Sequence, residues 1–133
     1  MNFLSWVDLE LQVPQQLQLD HISSYLGKSG HRVVFYGGDD ILVHKKLPGL
    51  IAKIERPLKN FNGVCFFSLS QVLRCKEPML IVERLFSKVD ALAFSLQGLM
   101  ITLDNRNELE SLVNLHRFAM STSSAELKLY RKI

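Results

Sequence analysis

The sequence predicts a single α+β domain built on a central sheet, and three observations carry that prediction. Short runs of β-branched and aromatic residues alternate with segments whose apolar residues recur every three or four positions. Prolines stand where helices would begin, at Pro14, Pro48 and Pro78. Turn signals rich in glycine, asparagine and aspartate separate the rest. A chain of 133 residues is long enough for one domain with a proper core. We read residues 1–120 as that domain and 121–133 as a C-terminal tail.

Each element follows from its residues. Positions 3–11 alternate at Val7, Leu9 and Leu11, which predicts a strand. A helix follows from Pro14, with Leu19, Ile22 and Leu26 at helical spacing and Gly27 or Gly30 to end it. Runs 32–36 and 41–44 flank Gly37-Gly38-Asp39-Asp40, the pattern of a hairpin over a tight turn. Pro48 opens another helical stretch carrying Ile51, Ile54 and Leu58, which Pro57 should kink or end. Asn62-Gly63 is a turn and 64–69 an apolar strand. After Pro78, the residues Ile81, Leu85, Val89, Leu92 and Leu96 recur at three- and four-residue intervals as far as Gly98. A rival reading makes 91–96 and 99–103 a hairpin over Gln97-Gly98; the helix 78–97 is preferred because the period holds for about four turns. Residues 99–103 are then the last strand. Residues 107–120 are an amphipathic helix with Leu109, Leu112, Val113 and His116 on one side. The first six elements form the βαββαβ order of ferredoxin-like folds, with an added helix, strand and C-terminal helix.

Composition excludes several classes. The chain is 47% hydrophobic and 22% charged, with no apolar run of the ~20 residues that a membrane span needs. Asp8 and Glu10 interrupt any signal-peptide pattern, so a cytoplasmic protein without membrane contact is expected. Cys65 and Cys75 are too few for a disulfide framework or a zinc site and read as reduced, partly buried thiols. A net charge of +3 is too small to imply a nucleic-acid partner, although it suits a protein that handles phosphates.

The candidate site follows from the element order. The first two strands must run parallel, joined by a crossover helix. The end of the first strand, with Asp8, therefore shares one end of the sheet with Gly37, Gly38, Asp39 and Asp40. Three carboxylates gathered there call for a cation, and hard oxygen ligands suit Mg²⁺ or Mn²⁺. The glycines would let a phosphate chain approach the backbone. Taken alone, such a motif is more often only a turn, with Asp39 exposed at its tip. Lys45-Lys46 reads as a solvated strand end able to attract a triphosphate. His31 and His44 read as exposed strand histidines rather than a metal pair, His116 as partly buried, and Trp6 and Tyr36 as packing residues rather than base stackers.

In this arrangement the chain resembles a shortened nucleotide-cyclase palm, of the kind found in GGDEF diguanylate cyclases and the polymerase palm of type III CRISPR large subunits. Val7-Asp8-Leu9-Glu10 resembles the acidic metal-binding stretch of the first strand. Tyr36-Gly37-Gly38-Asp39-Asp40-Ile41-Leu42 resembles the signature hairpin in its CRISPR-type form. Phe67-Ser68-Leu69 and Asp90-Ala91-Leu92 before Gly98 resemble later family segments. The match covers roughly residues 3–103, and the size is similar to minimal stand-alone CRISPR polymerases. Leu96 stands where the family carries a lysine, and Asp8 and Gly37 lie only 29 positions apart, too close for the family's two-helix insert.

The resemblance implies two-metal phosphoryl transfer from NTPs to a cyclic mono- or dinucleotide, in a homodimer linked to antiphage signalling. Asp8, Asp39 and Asp40 would hold Mg²⁺ or Mn²⁺ and carry catalysis, while Gly37, Gly38, Leu9 and Lys45 would contact the nucleotide. One ion activates the attacking hydroxyl and the other steadies pyrophosphate. The apolar stretches 64–69 and 78–97 also point to a covered face, and so to a homodimer. The alternative is a palm-like domain that has lost catalysis and acts as a protein- or nucleotide-binding module; Leu96 and the short spacing favour it.

Overall fold

A computed structural model describes the backbone of residues 1–41, 45–56 and 60–121 and the side chains of these residues as far as Asn114. The domain is α+β, with one five-stranded mixed sheet. In chain order the elements are β1 (Asn2–Asp8), α1 (Gln15–Gly27), β2 (Arg32–Asp39), α2 (Pro48–Ile54), β3 (Gly63–Phe66), α3 (Ser70–Leu73), α4 (Pro78–Phe86), β4 (Ala91–Phe94), β5 (Leu99–Thr102) and α5 (Arg106–Ser121). The tail 122–133, the side chain of His116, and Leu42, Val43, His44, Pro57 and Leu58 lie outside the described residues.

The strands lie in the order β2-β1-β3-β4-β5. β1 pairs parallel with both β2 and β3, β3 pairs parallel with β4, and only β4–β5 is antiparallel. The expected βαββαβ succession does not order this sheet. Gly37, Gly38 and Asp39 are the last residues of β2 itself, not a turn, and Ile41 is helical. After β2 the described chain forms α2 and then crosses to the far side of β1. Right-handed crossovers that run in opposite directions along the sheet, from β1 to β2 and from β2 back over β1 to β3, must place their helices on opposite faces. Accordingly α1 covers one face through Ile22 and Leu26, against Phe3, Val7 and Cys65. The other face holds the larger core, in which Leu50, Ile54, Val82, Leu85, Leu109 and Val113 from α2, α4 and α5 meet Leu4, Trp6, Val64, Phe66 and Phe94.

The preferred long helix over 78–97 is corrected. α4 ends at Phe86, and 91–102 is the β4–β5 hairpin. The reason lies in burial. All four residues of β4, Ala91–Phe94, are buried because the strand is covered on both faces. Such a strand shows no polar–apolar alternation, and a continuous apolar run reads equally well as a helix. Gly98 closes the hairpin at φ +62, with its N–H donating to the Ser95 carbonyl at 3.2 Å. The same burial accounts for the apolar stretch behind the dimer expectation: β3 sits mid-sheet with every residue buried.

Both cysteines are unpaired and buried. Burial pushes the Cys65 thiol up to about 12 and the Cys75 thiol up to about 11, the latter held back in part by Arg74.

Two outcomes follow. A Cβ at Gly98 meets nothing within 4 Å, so Gly98→Ala should cost only the left-handed backbone, about 1 kcal/mol by thermal melting. The folded protein should leave both thiols unreacted with Ellman's reagent at pH 8, and denaturant should release both. Because the folded thiols bind their protons more tightly than an ordinary thiol, which titrates near 9.0, their contribution to stability is complete below pH 9. It is lost as pH rises towards about 11 and about 12, so the melting temperature should fall over that window.

Candidate functional site

The register brings the predicted acidic residues together. Asp8 stands directly beside Asp39 at the ends of two parallel strands, as Trp6 stands beside Gly37 and Val7 beside Gly38. The expectation that the strand with Asp8 adjoins the Gly-Gly-Asp-Asp segment therefore holds. The environment differs from the expected exposed tip: Asp8 is fully buried and Asp39 is 6% exposed.

Asp39 has a complete set of internal donors. Its Oδ1 accepts from the Gly49 N–H at 2.8 Å. Its Oδ2 accepts from Trp6 Nε1 at 2.9 Å and from the Leu50 N–H at 3.0 Å. The carboxylate thus caps the first turn of α2 from outside the helix, satisfying two N–H groups that have no partner within it. The glycines serve the same joint. A Cβ on Gly37 would stand 2.3 Å from Trp6 Cζ3, and one on Gly49 would stand 2.8 Å from Asp39 Oδ1. Gly38 would meet Val7 Cγ2 at 2.8 Å. None of these three glycines has a positive φ. What they supply is close approach: of the indole to Gly37, of Val7 and Leu9 to Gly38, and of the Asp39 carboxylate to Gly49.

Asp8 is held as firmly. Its Oδ2 is ion-paired with Arg74 Nη2, and its Oδ1 accepts from the Glu10 N–H at 3.0 Å. Arg74 follows the short helix α3 and is anchored by Nε donating to the Ser70 carbonyl at 3.2 Å. Two buried glutamines close the backbone around it. Gln18 accepts from the Asp8 N–H at 2.9 Å and donates to the Asp8 and Val13 carbonyls at 3.0 and 2.9 Å. Gln71 accepts from the Ser68 N–H at 2.9 Å and donates to the Trp6 carbonyl at 3.0 Å. In open α/β sheets the crevice beyond the strand ends, where the strand order reverses, is the usual ligand site. Here that point lies between β1 and β3, and Gln18, Gln71 and Arg74 fill it.

The remaining predicted residues are more open. Asp40 is half-buried beside Glu10, and the hydrogen bond and repulsion between them raise the Glu10 carboxyl above its usual range. Leu9 is 43% exposed, and its N–H continues the ladder to the Asp39 carbonyl at 3.1 Å. Lys45 is exposed in a left-handed conformation at φ 50, and its carbonyl accepts from the Lys76 N–H at 2.9 Å. Among the described residues no group of three or more His, Cys, Asp and Glu side chains could hold a metal ion. His31, read as an exposed strand residue, is instead half-buried just before β2, with its Nδ1 3.0 Å from the N-terminal nitrogen; burial and that charge lower its pKa. Ser95 Oγ lies 3.0 Å from His21 Nδ1 and 3.2 Å from the Phe67 carbonyl oxygen.

Sequence reasoning missed Arg74, Gln18, Gln71 and Gly49. Only Gly49 carried a signal, a glycine one residue into a proline-initiated helix. The described helices include none long and apolar enough to cross a membrane. The chain matches no family model, no curated protein and no solved structure.

This geometry reverses the expected effect of changing Asp39. The sequence reading makes Asp39→Asn neutral to stability within about 0.5 kcal/mol. With three donors converging on the carboxylate, an amide must turn a donor toward a donor, so Asp39→Asn should destabilise by about 1–3 kcal/mol in urea melts. Gly37→Ala should cost a similar amount by displacing the Trp6 ring, and the indole fluorescence should change with it.

Proposed function

We propose that this chain is a binding module, one in which the palm-like acidic residues serve the fold rather than catalysis. The observation that carries this reading is the engagement of the carboxylates. Both oxygens of Asp39 accept hydrogen bonds from the protein, and Asp8 is paired with Arg74. A divalent cation at this place would have to displace the Trp6 and α2 donors from Asp39 and compete with a guanidinium for Asp8. Each replacement leaves a buried donor or charge without its partner, which costs about 1–3 kcal/mol per hydrogen bond and more for the ion pair.

A second reading remains a proposal on its own observation. Asp8 and Asp39 are neighbours in register at one end of the sheet, with Asp40 and Glu10 beside them, which is the placement a metal-dependent nucleotidyltransferase needs. In that reading Mg²⁺ or Mn²⁺ would neutralise the carboxylates, NTPs would be cyclised, and two chains would face each other as a homodimer.

Calorimetry with Mn²⁺ separates the two. The binding module should give negligible heat in both the wild type and Asp39→Asn, and no product when each NTP is incubated with Mn²⁺ and analysed by mass. Saturable heat that Asp39→Asn abolishes, together with a cyclic product, would overturn it in favour of the enzyme.

A further inference from the structure

We propose that the slot between α2 and α4 binds a single-chain organic anion, its acidic head at the lysine end and its apolar tail along the two helices. The slot has a volume of about 670 Å³. Sites for small organic ligands usually fall between about 300 and 1,000 Å³. Leu47, Pro48 and Ile51 line one side, and Leu80 and Ile81 the other. Leu80 is 57% exposed, although it sits on a helix whose neighbouring apolar residues Val82, Leu85 and Phe86 are buried. An isolated exposed leucine needs no explanation, but one that forms the wall of an apolar slot does.

The two ends of the slot differ in charge. Lys45, Lys46 and Lys76 line one end, with Glu77 as the acidic counterweight, so positive charge is in excess there. The Lys76 N–H donates to the Lys45 carbonyl at 2.9 Å, which ties the two lysine-bearing loops together. α4 begins at this end with Pro78, and its first turn holds no acidic residue, so its positive pole adds to the lysines. At the far end Arg84 on α4 reaches Glu55 after α2, with Nε 2.8 Å from Oε1. That ion pair bridges the two helices and leaves this end of the slot without excess charge. A molecule with one charged head and one apolar tail matches a slot that is positive at one end, apolar along its walls and neutral at the other end.

The inference deepens the binding-module reading by naming its ligand class, and it rests on that reading. The head could be a phosphate or a carboxylate, because the lysines serve either.

The test is titration of the protein with decyl phosphate and with decanoate, below their micelle concentrations and in EDTA. Inorganic phosphate and decanol serve as head-only and tail-only controls. At least one of the two amphiphiles should saturate a single site, with inorganic phosphate silent and decanol weaker by about tenfold or more. Lys45→Glu/Lys76→Glu should weaken binding by about tenfold or more, and so should Leu80→Asp. All these changes are at exposed positions, and unchanged melting temperatures would show that the fold is kept. Absence of saturable binding by both amphiphiles would overturn the inference. So would binding that neither variant weakens, or saturation by an acidic amphipathic peptide but by neither amphiphile. Because EDTA removes divalent metal, failure here is distinct from failure of the Mn²⁺ experiment, which alone tests the absence of a metal centre.

Discussion

The carboxylate of Asp39 is the joint on which one side of this domain depends. β2 lies at the edge of the sheet, with β1 as its neighbour. Two of its last three residues, Gly37 and Gly38, are glycines, which contribute no side chain to the core. The indole of Trp6 lies over Gly37 in their place and donates to Asp39, and Asp39 in turn receives the first N–H groups of α2. Four residues are thus mutually required. Trp6 needs the missing Cβ of Gly37, Asp39 needs the missing Cβ of Gly49, and α2 needs a cap that its own flanking residue, Leu47, does not provide. Short helices are marginal by propensity alone, so a seven-residue helix starting on a buried, charge-assisted cap takes its position from that cap.

A second constraint acts at the centre of the same edge. Where β1 and β3 diverge to opposite crossovers, a sheet of parallel strands leaves backbone groups and a crevice. Gln18 and Gln71 extend the ladders with side-chain amides, and Arg74 neutralises the fully buried Asp8. A buried carboxylate without its cation is costly, so Asp8 and Arg74 stand or fall together. The place that most often binds ligand in this kind of sheet is thereby turned into structure. An opening of about 670 Å³ lies instead between α2 and α4, two helices joined by the ion pair between Glu55 and Arg84, the first of them capped by Asp39.

Function and stability are linked through these features. The lysines that would meet an anion stand on loops fixed by backbone hydrogen bonds, and the N-terminus of α2 is already satisfied by Asp39. Positive charge offered by the slot therefore comes from the lysines and from α4. Disturbing Asp39 would shift α2 and, with it, one wall of the slot, so a binding defect at that residue would not by itself identify a ligand contact.

By itself the sequence determined the mixed α+β class, a first strand (read over 3–11, observed over 2–8), the helix after Pro14, the helix at Pro48 and the amphipathic last helix, because each rests on local chemistry: period, proline placement and turn residues. It also placed Asp8 and Asp39 at one end of the sheet, since a parallel crossover leaves both strand ends there; that the two strands are neighbours, so that the residues meet in register, is a tertiary fact. Tertiary structure alone decided the rest. A strand covered on both faces loses its alternation, so Ala91–Phe94 carried no local mark to tell it from a helix. A pair of glycines can serve a turn, a phosphate or an overlying ring, and only the position of Trp6 selects among these. A carboxylate can ligate a metal, cap a helix or pair with arginine, and the partners that decide it, Gly49, Leu50 and Arg74, come from segments distant in the chain whose approach no local pattern records.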